Sequence, residues 1–187
     1  RFLVFLALKN ATHRISCGQL AGLKIFGKKS FQILPNAIDI NKYRFSPTFR
    51  EEIRKEFHIA EYQKVVGMIG ILNPFKNQNF LIEIAKELPD VTFFFVGEGP
   101  DRDILEENSK ELKNIIFTGK REDVHKFYSA FDIFAFPSLY EGFPIVLVEA
   151  QCSGVNIIMN ETIDPTTQIV DELCTAMPLD KDKWVNY

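Results

Sequence analysis

Residues 65–96 read VVGMIGILNPFKNQNFLIEIAKELPDVTFFFV. Val65–Leu72 and Val91–Val96 are short, unbroken apolar runs bounded by Gly, Pro and Asn, as strands buried on both faces require. Between them, Asn77–Leu88 puts Phe80, Leu81, Ile84, Ala85 and Leu88 on one face and Glu83, Lys86 and Glu87 on the other. That is the period of an amphipathic helix. Strand, helix and strand at this spacing form a parallel crossover unit.

The alternation continues downstream. Ile115–Thr118, Asp132–Phe136 and Val155–Met159 are three more runs of the buried-strand kind. Gly99-Pro100 is expected to open a helix through Asn108, with Pro at a permitted first-turn position. Asp123 is expected to cap a helix whose Val124, Phe127, Tyr128 and Phe131 repeat at i, i+3, i+4 and i+7. Ile145–Ser153 is apolar almost all round and meets Gly154, a natural helix terminator. The predicted fold class is α/β, a doubly wound, Rossmann-like parallel sheet. Upstream, Thr12–Cys17 and Gly18–Phe26 read as one further strand and helix, and Ile33–Asp39 as a loop-like link. Arg50–Phe57 reads as a helix leading into the first strong strand. These shifts place a boundary near residue 30, and Trp184–Tyr187 reads as the start of a helix that the chain does not finish.

Composition narrows the function classes. A length of 187 residues fits one domain or slightly more. The chain is 46% apolar and 25% charged, which excludes a disordered tail, a collagen-like fibre or a disulfide-rich miniprotein. Lys and Arg number 22 against 25 Asp and Glu, so no global basic field exists to hold nucleic acid. The 18 Phe point to an aromatic-heavy core. Cys17, Cys152 and Cys174 are odd in number and have no CxxC spacing. A disulfide framework or zinc site is therefore not expected, and a reducing compartment is. Phe2–Leu8 is far shorter than the ~18 apolar residues that span a bilayer. No small-x-small cleavage pattern follows it, so no signal peptide is expected. The missing initiator Met suggests a piece of a longer chain.

In open parallel sheets, ligands bind outside the carboxyl ends of the strands. Those ends are Asn73–Asn77, Gly97–Pro100, Gly119–Arg121 and Pro137–Pro144. Within the last, Glu141 sits in a Gly-containing loop, and Glu149, eight residues on, lies about a turn into the following helix. Both can face the same mouth of the sheet. The helix start between them offers free N–H groups and a positive dipole end, which suits phosphate. Pro144 has no N–H, so the donors would be Phe143, Ile145 and Val146, and Gly142 lets a ligand approach closely. Carboxylates accept bidentate hydrogen bonds from sugar diols. A Glu near a helix start is also simply favourable to the dipole, so spacing alone does not choose between the two uses.

The whole string PSLYEGFPIVLVEAQCSG, residues 137–154, resembles the C-terminal domain motif of group 1 (family 4) retaining glycosyltransferases of the GT-B fold. Its form is similar to that of bacterial capsular and exopolysaccharide enzymes. ILPNAID, IGILNPFKN, VGEGP and FTGKRED match in order, so the resemblance covers roughly residues 12–187.

The resemblance implies catalytic roles for Glu141, on the hydroxyls of the transferred sugar, and for Lys76, on the diphosphate leaving group. Glu149 would bind the ribose, and the backbone of Gly142, Phe143, Pro144, Ile145 and Val146 would hold the diphosphate and sugar. Gly97, Lys120 and Arg121 would line the base pocket. Residues 1–30 would be a remnant of an N-terminal domain, and 31–187 a C-terminally incomplete donor-binding domain. The implied activity is transfer from a nucleotide-diphosphate sugar, with a UDP-sugar as the first guess, to a saccharide or lipid-linked acceptor with retention. No cofactor or metal is implied. The partners would be donor, acceptor and the enzyme's other domain, with no nucleic acid, and any membrane contact would not run through this chain. The implied location is the cytoplasm, including a peripheral place at the inner face of the plasma membrane. Two other readings are a non-catalytic nucleotide-sugar binding module and a GT-B nucleotide-sugar epimerase.

Three positions depart from the pattern. Ile71 follows Gly70 where the family commonly has Arg, Ala37 replaces a Gly in the link, and Asn156 stands where Pro is common. Other candidates are weaker. His13, His58 and His125 are scattered without metal spacing. Gly97-Glu98-Gly99 lacks the third Gly of a dinucleotide fingerprint. The charged residues of Arg50–Glu56 read as a solvated helix face.

Overall fold

The computed structural model describes residues 10–187. The apolar run Phe2–Leu8, read above as neither span nor signal, lies outside them. A six-stranded, all-parallel sheet organises the chain. Its strands are β3 (Lys64–Ile69), β4 (Val91–Val96), β5 (Ile115–Gly119), β6 (Ile133–Phe136), β7 (Asn156–Asn160) and β8 (Cys174–Met177). Their spatial order is β5-β4-β3-β6-β7-β8. The order reverses between β3 and β6, and a doubly wound sheet opens its binding crevice at such a reversal.

Five of these strands coincide with the predicted runs. The sixth, β8, does not: four residues, CTAM, carry too little apolar content to stand out, and they form the sheet edge beside β7. The helices cross between strands as expected, with shifted ends. They include α4 (Gln78–Glu87), α5 (Arg102–Ser109), α6 (Val124–Ala130) and α7 (Ile145–Ser153). Pro100 is not in the first turn of α5, because Asp101 precedes the helix and Arg102 begins it. Asp123 does not cap α6; its carboxylate accepts from the Arg121 guanidinium at 2.8 and 3.0 Å instead. At the far end α8 (Lys181–Val185) is a complete short helix capped by Asp180, so Trp184 lies inside a helix and does not start one.

The Phe-rich strands alternate between two cores. Phe94 and Val96 of β4 point to one face with Phe127, Phe131, Phe134, Phe136 and Leu147. Phe93 and Phe95 point to the other with Leu81, Ile84, Leu105 and Trp184. A strand whose successive residues enter opposite cores has no polar face, which is why its sequence reads as continuous apolar.

Upstream of the large sheet, β1 (Ile15–Ser16) and β2 (Gln32–Ile33) form a two-stranded parallel sheet around α1 (Gln19–Phe26). The boundary expected near residue 30 falls between those two strands. The link expected to be loop-like begins with the last residue of β2 and ends at Asp39, which caps the short α2 (Ile40–Tyr43) by accepting from the Asn41 amide at 3.0 Å. Then α3 spans Pro47–Glu56, capped by Ser46 and started by Pro47. Its charged residues are not all solvated. Arg54 is 5% exposed. Arg50 and Arg54 both ion-pair with Asp132 at 2.9 Å.

Candidate functional site

The carboxyl ends of β3 and β6 flank the reversal of strand order, and hydrogen bonds fix the two loops leaving them against each other. The Leu139 amide donates to the Phe75 carbonyl at 2.8 Å, and Asn77 Nδ2 to the Pro137 carbonyl at 3.3 Å. On the far side, Asn160 Nδ2 donates to the Ser138 carbonyl at 2.9 Å. The first loop is also held from within: Asn73 Oδ1 accepts from the Lys76 amide at 3.1 Å, and Gln78 Nε2 donates to the Ile71 carbonyl at 3.0 Å.

These bonds bring Lys76 and Glu141 together across the crevice. Lys76 Nζ lies 2.6 Å from Glu141 Oε1, with side-chain exposures of 14% and 17%. The same ammonium sits 4.8 Å from the centre of the Phe136 ring. Its stem packs on Gly70, whose φ is 155°, with Cε 3.3 Å from where a Cβ would stand. A half-buried cation between a carboxylate and an aromatic face can exchange its partner for a phosphate.

Beside this pair, α7 begins at Ile145 with no side-chain cap. Leu147 already donates to the Pro144 carbonyl at 3.1 Å. The amides of Phe143, Ile145 and Val146 have no acceptor among the described residues. A Cβ on Gly142 would lie 3.8 Å from Ala21 Cβ, ordinary contact, so the fold itself does not demand glycine there.

Glu149 takes a different environment from Glu141. It is 8% exposed and forms no ion pair with Lys76. Its Oε2 accepts from the Tyr128 hydroxyl at 2.6 Å. Burial first, then the Glu149 carboxylate, pushes Tyr128 well above the usual phenol range. Tyr43, on α2, is raised to about 12 by burial, by a hydrogen bond to Glu149 and by the charges of Glu149 and Asp39. Sequence reading passed over both tyrosines. Tyr128 falls in the apolar stripe of α6, and nothing in the pattern separates a packing phenol from one that holds a carboxylate.

The residues expected at the base pocket lie at adjacent strand ends, where the Gly97 amide donates to the Gly119 carbonyl at 3.0 Å, just before Lys120 and Arg121. Gly97, with φ 143°, closes on the neighbouring loop so tightly that any side chain would strike the Gly70 carbonyl. Lys120 is exposed and forms no ion pair with a described residue. Arg121 is committed elsewhere, clamped on Glu56 at 2.6 and 3.0 Å and on Asp123, and lying 5.2 Å from the centre of the Phe127 ring. It ties α3 to the loop before α6, and its remaining donor capacity is small. Glu98 and Arg102 form an ion pair beside Gly119 at the ends of β4 and β5.

Two Asp-x-Asp strings occur, at 101–103 and 180–182, each at a helix start. No cluster of three or more His, Cys, Asp or Glu among the described residues could hold a metal ion. An apolar cleft of about 420 Å³ opens near Lys64, Val91, Ile133 and Asn156. It lies at the amino ends of the strands, opposite the crevice, and carries none of this chemistry. No helix among the described residues is long and apolar enough to cross a membrane.

Strand order and crevice define a Rossmann-like domain of the kind that forms one half of a GT-B protein. Residues 49–180 match the family model described as glycosyl transferases group 1, and the chain belongs to that family. It is 34% identical to the putative glycosyltransferase EpsF of Bacillus subtilis, over 96% of this chain and 51% of that protein. It is 31% identical to a UDP-Gal:alpha-D-GlcNAc-diphosphoundecaprenol alpha-1,3-galactosyltransferase of Escherichia coli, over 68% of this chain and 36% of the other. Among solved structures, Anabaena HepE in complex with UDP-glucose superimposes on all of this chain and 55% of its own, with a TM-score of 0.85 and 26% identity. The chain thus spans about half the length of these relatives.

Proposed function

We propose that this chain is the donor-binding half of an enzyme that transfers a sugar from a nucleoside diphosphate sugar to a saccharide or lipid-linked acceptor, with retention, in exopolysaccharide or related glycan synthesis. One observation carries the reading. Where the strand order reverses, a cation, a carboxylate and a run of free amides converge within two loops bonded to each other. A diphosphate needs the cation and the amides; a sugar hydroxyl needs the carboxylate.

In this reading the diphosphate displaces Glu141 from Lys76 and lies along the start of α7. Lys76 then offsets the negative charge that grows on the leaving diphosphate as the glycosidic bond breaks. Glu141, released, accepts from hydroxyls of the transferred sugar. Glu149 accepts from the ribose. Ile71, half exposed beside Gly70, supplies no second cation, so Lys76 and the α7 amides hold the diphosphate. HepE was solved with UDP-glucose, and the E. coli relative is named for a UDP-sugar, which favours a uridine donor here. Residues 1–30 would then belong with an N-terminal domain that supplies the acceptor site, and residues 31–187 would form the donor domain.

Calorimetric titration of the full-length protein with UDP, GDP and ADP tests the reading. UDP is expected to bind best, and Glu149→Ala to weaken it about tenfold, the effect of losing roughly 1.4 kcal/mol. If no nucleotide binds, or if Glu149→Ala binds equally well, the site is misassigned.

A further inference from the structure

Glu149 is buried near the crevice, and what constrains its carboxylate comes from outside its own helix. Tyr128, 1% exposed on α6, donates to Oε2 at 2.6 Å, within the short range of a hydroxyl bonded to an ionised carboxylate. Tyr43, from the link between the small sheet and the large one, packs its ring against that of Tyr128, near enough to Glu149 for the carboxylate to raise its phenol. The two rings meet edge to face at 6.0 Å, and Tyr128 packs on Phe134 at 5.6 Å, so the Tyr128 phenol cannot swing away without opening the core. Packing alone does not require this arrangement: Phe would fill the same space without burying a hydroxyl.

We propose that Tyr128 and Tyr43 are positioning residues, which hold the Glu149 carboxylate in the one orientation that leaves acceptor capacity for a vicinal diol. A carboxylate offers about four lone-pair sites. The Tyr128 phenol occupies part of that capacity and fixes the carboxylate plane, with Tyr43 bracing its ring; the remainder is left for the diol. A diol bound there gains two hydrogen bonds without first freezing a rotamer, which is the benefit of a preorganised site. Both phenols remain protonated donors at any physiological pH, because burial and the neighbouring carboxylate raise them. The inference rests on the ribose role assigned to Glu149 above.

The test compares UDP with 2′,3′-dideoxy-UDP, which lacks the diol, on the full-length protein and on Tyr128→Phe and Tyr43→Phe. Wild type should prefer UDP about tenfold. In Tyr128→Phe the preference should fall to twofold or less, while dideoxy-UDP affinity stays within twofold of wild type. A merely structural loss would weaken both nucleotides together and leave their ratio intact. Preference retained in Tyr128→Phe overturns the inference. If Tyr128→Phe does not fold, Tyr43→Phe decides in the same way, with an expected loss of at least threefold in the ratio. A wild type that does not distinguish the two nucleotides would instead remove the ribose role of Glu149 itself.

Discussion

Lys76 and Glu141 satisfy one another across the crevice, and that pairing sets up a competition. A diphosphate approaching Lys76 must displace a carboxylate that also repels it. An ion pair that solvent still reaches, as this one does, is worth about 1 kcal/mol. Glu141→Gln should therefore tighten binding of UDP, which carries no sugar, by about threefold. On the proposed function the same change also removes the acceptor for the sugar hydroxyls, and transfer by the full-length protein should then drop about 100-fold or more. Opposite signs for product affinity and turnover are the expected outcome. Titration of UDP with steady-state transfer on one preparation reads both, and weaker UDP binding in Glu141→Gln would count against the exchange. Position and type of these residues were legible in the sequence, because a strand end, a Gly-containing loop and a helix start are local features. Their pairing was not, since Lys76 and Glu141 meet only when β3 and β6 become neighbours across the strand reversal. The same limit hid Tyr43 and Tyr128, and the tie of Arg121, expected at the base pocket, to Glu56, 65 residues away in sequence.

Among the elements, α3 shows how a charged helix can be misread. Its Arg50 and Arg54 read as a solvated face, yet both reach the start of β6. Arg54 bonds the Ala130 carbonyl at 3.2 Å, and Asp132 accepts from both guanidinium groups and from the Val65 amide at 2.8 Å. One carboxylate thus ties α3, β3 and β6 together beneath the strand reversal. Removing it would leave the Arg54 guanidinium buried without its countercharge, which typically costs 3–5 kcal/mol. Asp132→Ala should therefore lower the melting temperature by about 6–20 °C, at roughly 2–4 °C per kcal/mol for a domain of this size. Glu52→Ala, also on α3, breaks a largely exposed ion pair with Lys126 of α6 and should shift it by no more than about 4 °C. Equal melting temperatures for the two variants would show that the buried cluster contributes no more than a surface pair. The runs β3, β4, β6 and β7 were legible because their faces are largely buried, and the edge strand β5 because its Ile115, Ile116 and Phe117 are apolar in succession. The edge strand β8 was not, since an edge needs fewer apolar residues and draws its pairing from β7.

Across the whole molecule, a buried carboxylate joins the small sheet's helix to the large sheet. Asp164, 1% exposed and just after β7, reaches the first turn of α1, where its Oδ2 accepts from the Leu20 amide at 2.7 Å. Gly18, at the head of the same helix, packs against Phe143 and the Gly142 carbonyl, so α1 abuts the loop that leads into α7. Neither sequence segment signals this contact, because a helix capped from 144 residues away carries no capping residue of its own. Burial by itself would raise the Asp164 pKa, but hydrogen bonds from the amides of Leu20, Thr166 and Gln19 and from the Thr166 hydroxyl outweigh it and hold the carboxyl below its ordinary value. The sign follows from linkage. A folded-state pKa below the unfolded value of about 3.9 adds stability that is fully present above that pH and is lost as pH falls through the folded-state value. The latch should thus be intact at neutral pH and weaken only below about pH 4. Asp164→Asn keeps the shape but replaces a charged acceptor with a neutral one, and should cost about 1–2 kcal/mol at neutral pH, the scale of a lost helix cap. The loss should concentrate in α1. Hydrogen exchange at the Leu20 and Gly22 amides should quicken about tenfold, while amides in β3 and β4 stay protected. In the variant, α1 exchange should also lose the extra acceleration that wild type shows on going from pH 5 to pH 3, after correction for intrinsic rates. Uniform acceleration across both sheets would mean that Asp164 supports the global fold and does not latch the two units.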